Sequence, residues 1–355
     1  MITLHQLLKA AVKQGASDLH IVAGSPPVLR VESRVVRVKT GELTNDDARS
    51  LCYSILTDSQ KSRFEATKEI DFSFAVTGLG RFRANLFFQR STVSGVFRRI
   101  NAEIPQAEML GLPKAIHELT QYPTGLVVVT GPTGSGKSTT IASMIDKINT
   151  EIRGHIITLE DPIEYIHTHK NCIVNQREIG TDSASFRIAL RQVLRQDPDV
   201  VVLGELRDLE TIESALTVAE TGHLVIATLH TNSAVQTISR IVGVFPSEQQ
   251  DRIRVQLSFV LKAIIAQRLV PSTKGGMVPA LELLILNPNV QNLIRENKMH
   301  QVYGMMQVGQ DKTGMVTLNQ SLLKLILKRK IDVSTAFANS NDPEELDKLL
   351  KQAGV

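Results

Sequence analysis

A glycine-rich segment in the middle of the chain has the residue types and spacing that bind phosphate groups. It reads Gly131-Pro132-Thr133-Gly134-Ser135-Gly136-Lys137-Ser138-Thr139 and fits the pattern G-x-x-x-x-G-K-[ST]. The glycines let backbone N–H groups turn towards phosphate oxygens, and the helix that opens here adds its positive dipole end. Lys137 would reach the β- and γ-phosphates, while the Ser138 hydroxyl would ligate Mg²⁺. The segment therefore predicts a nucleotide site.

Two acidic segments have the carboxylates that chemistry on a nucleotide requires. Glu205 follows the apolar run Val200–Leu203, which is the Walker B arrangement that holds Mg²⁺ or its water shell. Glu160, Asp161 and Glu164 follow another apolar run, at a strand end where open α/β sheets bind ligands. One of these acids could position or deprotonate the attacking water. A capped strand-to-turn junction explains the second segment equally well, and both interpretations stay open.

Two histidines, His223 and His230, bracket the apolar run Leu224–Thr228. His230 falls at the C-terminal end of this run, where the γ-phosphate is expected. Taken alone, a histidine at such a position is more often a structural group with satisfied hydrogen bonds. No further Cys or His stands at ligand spacing, so we do not expect these histidines to bind a metal.

Apolar, β-branched runs precede these polar residues and are typical of parallel strands buried on both faces. Four of them alternate with helical stretches: Leu126–Thr130, His155–Leu159, Val200–Leu203 and Leu224–Thr228. They predict a parallel sheet covered by helices. After Pro271 the pattern is mainly helical, with one more apolar run at Ala280–Leu286. The last helix is expected to follow Asn341-Asp342-Pro343, where Asp or Asn can cap and Pro343 sits in the first turn.

The first hundred residues predict a small α+β unit. Helical spacing over Leu4–Lys13 and Leu43–Phe64 alternates with strand-like segments, and a turn at residues 77–80 joins two of those strands. Pro and Gly then punctuate a linker. We therefore expect an N-terminal domain over residues 1–100, a linker over 101–112, a core domain with the nucleotide site over 113–270 and a mostly helical C-terminal region over 271–355.

Composition narrows the class of protein. The 355 residues are 42% hydrophobic and 21% charged, which is ordinary for a globular chain, and the net charge is +4 with both signs well mixed. No apolar stretch approaches the roughly 18 residues that span a bilayer, and no secretory signal is visible. Cys52 and Cys172 form no CxxC pair, so we expect neither a disulfide framework nor a structural zinc site. This cysteine usage favours a reducing cytosol. The absence of Trp argues against stacking on nucleic acid.

The four polar segments, in this order, resemble the Walker A, Asp box, Walker B and His box of the secretion ATPase superfamily. Within it the chain is most similar to the PilT-type ATPases that retract type IV pili. The resemblance continues at Gly15-Ala16-Ser17-Asp18-Leu19-His20, at Gly80-Arg81-Phe82-Arg83 and at Val96-Phe97-Arg98. It also includes Val174-Asn175-Gln176-Arg177-Glu178 and Ala219-Glu220-Thr221-Gly222, and so covers almost the whole chain.

This resemblance implies an α/β chain with a PAS-like α+β N-terminal domain, a RecA-like P-loop ATPase core and a small helical C-terminal region. It implies a homo-hexamer in the cytoplasm that hydrolyses ATP with Mg²⁺ at the inner face of the cytoplasmic membrane. There it would act on an inner-membrane pilus platform protein, and it would associate with the membrane through that partner alone. No nucleic-acid partner is expected.

The resemblance also implies roles for single residues. Glu164 is the expected general base and Glu205 the second catalytic carboxylate, while His223 and His230 would link the nucleotide state to domain position. Arginines of an adjoining N-terminal domain would reach the nucleotide in the ring. Arg81, Arg83 and Arg98 match those segments, although each taken alone is an ordinary charge on a strand surface.

One segment departs from the PilT pattern. The family motif Ala-Ile-Arg-Asn-Leu-Ile-Arg-Glu reads Asn289-Val290-Gln291-Asn292-Leu293-Ile294-Arg295-Glu296 here, so that Gln291 replaces the first Arg. An accessory, PilU-like retraction ATPase is therefore one alternative. A ring ATPase that translocates nucleic acid and a nucleotide sensor without turnover are two others.

Overall fold

A computed structural model describes residues 2–31, 34–100, 103–106, 109–308 and 313–355. Residues 101, 102, 107 and 108 of the predicted linker lie outside the described residues. The chain forms two compact units, one of Met1–Glu103 with Pro162–Ile166 and one of Ile104–Asp161 with His167–Val355. Across the described ranges, no helix is both long enough and apolar enough to cross a membrane.

The first unit is a six-stranded antiparallel sheet with helices on one face. Its strand order is β3-β2-β1-β6-β5-β4. The strands are β1 (Asp18–Ile21), β2 (Val28–Val31), β3 (Arg34–Arg37), β4 (Glu69–Val76), β5 (Gly80–Gln89) and β6 (Thr92–Arg99). The helices are α1 (Leu4–Lys13), α2 (Asn45–Tyr53) and α3 (Asp58–Thr67). Thr3, Thr44 and Thr57 cap these helices through capping boxes, because a hydroxyl and a side chain three residues on satisfy free N–H groups.

The second unit is built on a seven-stranded sheet in the order β13-β12-β7-β11-β10-β8-β9. All neighbouring strands are parallel except the β12–β13 hairpin. The strands are β7 (Gly125–Thr130), β8 (His155–Glu160), β9 (Ile173–Glu178), β10 (Val200–Leu203), β11 (Leu224–Leu229), β12 (Leu261–Pro271) and β13 (Met277–Ile285). The four predicted parallel strands are therefore confirmed, and β9 and β12 add to them.

Helices cover both faces of this sheet. They are α4 (Lys114–Leu119), α5 (Lys137–Glu151), α6 (Phe186–Val193), α7 (Leu209–Glu220), α8 (Ala234–Gly243), α9 (Ser247–Val260), α10 (Pro288–Arg295), α11 (Met299–Met306), α12 (Leu318–Leu327), α13 (Val333–Asn339) and α14 (Pro343–Gln352). Along β7, Leu126 and Val128 enter one apolar cluster, while Val127 and Val129 enter the cluster on the opposite face. Because both faces are buried, the strand reads as a continuous apolar run.

The described residues after Pro271 comprise helices and one strand, β13, which overlaps the apolar run Ala280–Leu286. Strand β13 lies in the core sheet, and the predicted boundary at 270/271 falls at the end of β12, just before the turn of its hairpin. The last helix begins as predicted, with Pro343 in its first turn and the Asp342 side chain accepting from the N–H of Glu345. The predicted fold class is confirmed: an α+β N-terminal unit precedes an α/β unit with a parallel core sheet.

Candidate active site

The phosphate-binding pattern lies where a nucleotide site requires it, between the buried strand β7 and the helix α5. Its three glycines all have positive φ, at 142° for Gly131, 79° for Gly134 and 85° for Gly136. A Cβ added to Gly131 would lie 2.1 Å from the carbonyl oxygen of Gln267, and one added to Gly136 would lie 2.8 Å from the Gln267 Nε2. Backbone conformation and close packing therefore both require glycine at the two outer positions.

Two polar groups of this loop have the surroundings of a phosphate site. The ammonium of Lys137 donates to the carbonyls of Gly131 (2.7 Å) and Pro132 (3.1 Å), which belong to the loop itself. Burial lowers the Lys137 pKa, and the negative charge of Glu205 opposes this shift. The hydroxyl of Ser135 is buried without a hydrogen-bond partner. These residues fit a bound phosphate, which would accept from a cation and a hydroxyl placed in this way.

Glu205 lies just past the end of β10, and its carboxylate lies between the side chains of Arg207 and His230. Its Oε2 lies 2.8 Å from Nε of Arg207, and its Oε1 lies 3.3 Å from Nε2 of His230. Arg207 also lies 4.0 Å from a carboxylate oxygen of Asp161. The hydrogen bond to Glu205 raises the pKa of Arg207. Among the residues expected to act on the nucleotide, the structure therefore brings Lys137, Glu205 and His230 together at the carboxyl ends of the parallel strands.

Threonine hydroxyls connect the carboxyl ends of neighbouring strands at this site. The Thr130 hydroxyl, at the end of β7, donates to the carbonyl of Thr231 at 2.8 Å. The Thr228 hydroxyl donates to the carbonyl of Gly204, the residue before Glu205. Because β11 lies between β7 and β10, these contacts link the phosphate-binding strand, the histidine loop and the acid-bearing strand.

His223 does not join this cluster. It precedes β11, whereas His230 follows the same strand, so about six residues of roughly 3.3 Å rise separate the two histidines. Its Nδ1 lies 3.1 Å from the carbonyl of Val218 and 3.3 Å from the Thr221 hydroxyl. These local contacts hold His223 at the amino ends of the parallel strands, away from Glu205 and His230.

Glu164 belongs to the first unit, together with the arginine-bearing strands. A cavity of about 360 Å³ in that unit is lined by Glu164, Arg83, Arg98 and Arg99. Arg83 and Arg98 lie directly opposite each other on β5 and β6. Glu164 is exposed, so it is free to approach a water molecule.

The candidate arginines differ in how firmly they are held. Arg98 donates through Nε to the buried carboxylate of Asp18 at 2.8 Å. Burial would raise the Asp18 pKa, but hydrogen bonds from Ser17 and Arg98 and the Arg98 charge hold it below its usual value. Arg83 forms an exposed ion pair of 3.6 Å with Asp71, a kind of pair that contributes little stability.

Arg81 lies two residues before Arg83 on β5. Its Nε and Nη2 donate to the Ser73 hydroxyl at 3.1 and 2.6 Å.

Two residues at this site were not among the predicted ones. Arg207 stands two positions after Glu205, and that spacing was the available signal. Gln267 lies in β12, a strand that was not predicted. Its signal is an amide that directly follows the apolar run Ala263–Ala266.

Both predicted magnesium ligands lie at strand or helix ends around the phosphate loop. The Ser138 hydroxyl is exposed at the start of α5, and Glu205 is partly exposed at the end of β10. Within the described residues, no group of three or more His, Cys, Asp or Glu could hold a metal by itself. Mg²⁺ at a nucleotide site is usually bound through one or two protein groups, the phosphates and several waters, so it does not require such a cluster.

Comparisons with known proteins show the family of this chain. Residues 98–334 match the family described as type II/IV secretion system protein. The type IV pilus retractation ATPase PilT of Pseudomonas aeruginosa is 47% identical over 339 residues, which are 96% of this chain and 98% of that protein. The type IV pilus ATPase PilU of the same organism is 41% identical and covers 98% of this chain and 91% of its own length.

Solved structures give the same picture. A crystal structure of the pilus retraction motor PilT with bound ADP has a TM-score of 0.93 and 51% identity. It covers 98% of this chain and 100% of that one. The ATPase DotB of Legionella pneumophila has a TM-score of 0.83 at 27% identity, with 95% of each chain covered. The chain therefore belongs to the type II/IV secretion system protein family and is similar over nearly its whole length to the PilT-type ATPases.

Proposed function

We propose that this protein is an ATP-hydrolysing motor that retracts type IV pili. The observation that carries the proposal is the cluster of Lys137, Glu205 and His230 beside a glycine-constrained phosphate loop, in a chain similar to PilT from end to end. ATP would enter with its phosphates over the loop. Lys137 would then leave the carbonyls of Gly131 and Pro132 for the β- and γ-phosphates.

The other residues take roles that their positions support. Ser138 and Glu205 would hold Mg²⁺, which neutralises charge on the phosphates when bound. His230 would keep the Glu205 carboxylate oriented, and Glu164 would position the attacking water. Arg83 and Arg98 would stabilise the charge that develops on the transferred phosphoryl group.

Arg81 is the third candidate from the N-terminal unit for contact with the nucleotide. His223 and His230 lie at opposite ends of β11. His223 would therefore respond to movement between subunits rather than contact the phosphates.

The proposed assembly is a homo-hexamer. An arginine supplied by a neighbouring subunit would make hydrolysis depend on assembly. We place this ring in the cytoplasm, at the inner face of the membrane, where it would act on the platform protein of the pilus. Hinge motion between the two units would convert hydrolysis into movement of that partner.

An accessory, PilU-like role is the second candidate. It is favoured by Gln291, which stands on α10 where the PilT motif has arginine. The similarity favours the main retraction motor, at 47% identity to PilT against 41% to PilU. Restoring pilus retraction in cells that lack PilT but retain PilU, and failing to do so in the converse strain, would support the main-motor role. The opposite pattern would support the accessory role.

The deciding measurement is steady-state ATP hydrolysis by the purified protein across protein concentration. We expect turnover per subunit to rise with assembly and to vanish in Lys137→Ala and Glu205→Ala. Binding of ATP without turnover, or turnover unchanged by dilution to monomers, would contradict the motor and favour a nucleotide sensor. Stimulation by single-stranded DNA would favour the nucleic-acid translocase instead.

A further inference from the structure

Gln267 is a buried amide that contacts the phosphate loop from a neighbouring strand. It is 5% exposed, and both ends of its amide are hydrogen-bonded. Its Nε2 donates to the Ser135 carbonyl at 2.7 Å, and its Oε1 accepts from the Thr140 hydroxyl at 2.7 Å. A buried amide is unfavourable unless it is paired in this way, so the two bonds fix its position.

The loop is shaped to fit this glutamine. Strand β12 runs parallel to β7, with Ala266 opposite Thr130, so the loop that leaves β7 passes directly over Gln267. A Cβ at Gly131 would collide with the Gln267 backbone, and a Cβ at Gly136 would collide with its amide. The first and last glycines of the loop therefore pack against the same residue.

The bond to the Ser135 carbonyl has a directional consequence. In a planar trans peptide the C=O and the following N–H point in opposite directions. Holding the Ser135 carbonyl towards β12 therefore turns the N–H of Gly136 away from β12. Backbone N–H groups at this part of the loop are the donors that bind phosphate.

We propose that Gln267 is a positioning residue for nucleotide binding: its side-chain amide holds the phosphate loop, from a neighbouring strand, in the conformation that receives the phosphates. The inference rests on the proposed nucleotide site. Both ends of the amide are needed, since the donor orients the loop and the acceptor ties it to the first turn of α5. Lys137, Ser138 and Glu205 would keep their own contacts without it.

The test measures ADP affinity, with Mg²⁺ present, in full-length variants. Gln267→Met keeps the length of the side chain and removes both bonds, whereas Gln267→Glu keeps the acceptor and removes the donor. Thr140→Val removes the partner of the acceptor. The matched control is Gln256→Met, because Gln256 donates to Glu220 on the surface at a similar 2.7 Å.

We expect the ADP dissociation constant to rise at least tenfold in Gln267→Met and Gln267→Glu, and to change less than twofold in Gln256→Met. The KM for ATP should rise with it while kcat changes by less than threefold, since the groups that act on the phosphates remain. Adding Thr140→Val to Gln267→Met should weaken binding no further, because the bond it removes is already absent.

Other outcomes overturn the inference. A folded Gln267→Met protein that binds ADP within twofold of the Gln256→Met control would do so. If Gln267→Met does not fold, Gln267→Glu and Thr140→Val decide: unchanged ADP affinity in both sinks the proposal, and weakened affinity in both upholds it. Failure of the unmodified protein to bind ADP would instead overturn the proposed function.

Discussion

The guanidinium of Arg207 lies against the carboxylate of Glu205, with Nε 2.8 Å from Oε2. The same carboxylate is the one expected to hold Mg²⁺. A metal bound there would compete with Arg207 for this group, and we expect Arg207 to move away when the metal binds. Its 59% exposure leaves room for that movement.

Replacing Arg207 should strengthen the response to magnesium. In Arg207→Gln the Mg²⁺ concentration for half-maximal ATP hydrolysis is expected to fall about fivefold, the ratio that ~1 kcal/mol for a partly exposed ion pair gives. The matched control is Arg187→Gln, because Arg187 forms a similarly exposed pair with Glu210 at 3.1 Å. A magnesium titration of ATPase activity measures both. An equal change in the two variants would contradict the competition.

Alanine at the first loop glycine should strongly weaken nucleotide binding. In Gly131→Ala the new Cβ meets a backbone oxygen 2.1 Å away, which cannot move aside as a side chain could. We expect ADP affinity to fall by at least ~100-fold, the scale set when a close-packed loop shifts. Gly275→Ala is the control, since Gly275 also has positive φ (87°) but nothing within 4 Å of its Cβ. Similar ADP binding by both variants would refute the steric explanation.

Acid should destabilise the protein partly through His167. This histidine is buried with its Nδ1 unpaired, and burial lowers its pKa to about 4. Between pH 6.5 and about 4, His167 is protonated in the unfolded chain but still neutral in the folded protein. The free energy of unfolding therefore decreases as the pH is lowered through this range, by at most about 3 kcal/mol. His167→Phe should therefore lose less of its thermal midpoint than the wild type between pH 7.5 and 5. An exposed histidine supplies the control, His300→Phe, which should follow the wild-type slope.

Glu282 should stabilise the protein mainly as a hydrogen-bond acceptor and less through its negative charge. Its carboxylate is 2% exposed and accepts from the N–H of Ala234, at the start of α8, at 2.6 Å. Burial raises its pKa, while that hydrogen bond and the charge of Arg268 lower it. Glu282→Gln keeps the acceptor, whereas Glu282→Leu leaves a buried N–H unpaired, which costs about 1–3 kcal/mol. Thermal melts should place the Leu variant about 5 °C below the Gln variant. Equal midpoints would contradict this.

Local sequence patterns predicted much of the fold and the centre of the site. The strands before Gly131 and before Glu205 could be predicted because both of their faces are buried, which gives continuous apolar runs. The position of His230 could be predicted because it directly follows a third such run. Strand β12 was not legible, because Lys262, Gln267 and Arg268 interrupt its apolar run. It also begins at Leu261, directly after α9, with no turn residue between them.

Contacts between distant residues were beyond such patterns. Asp18 and Arg98 are 80 residues apart in the chain, and Ser135 and Gln267 are 132 apart. Only the strand order brings these pairs together, and strand order depends on packing of the whole sheet. The contact between His230 and Glu205 likewise joins residues that follow two different strands, β11 and β10.

The β12–β13 hairpin also limits how the chain can be shortened. Ending the polypeptide after Pro271 would strip β12 of a partner with which it is paired from Ala263 to Pro271. The strand beneath the phosphate loop would then become a bare, apolar sheet edge, which is a template for aggregation. The C-terminal residues thus act as a protective cover for the catalytic sheet, and an isolated ATPase core should keep them at least through β13.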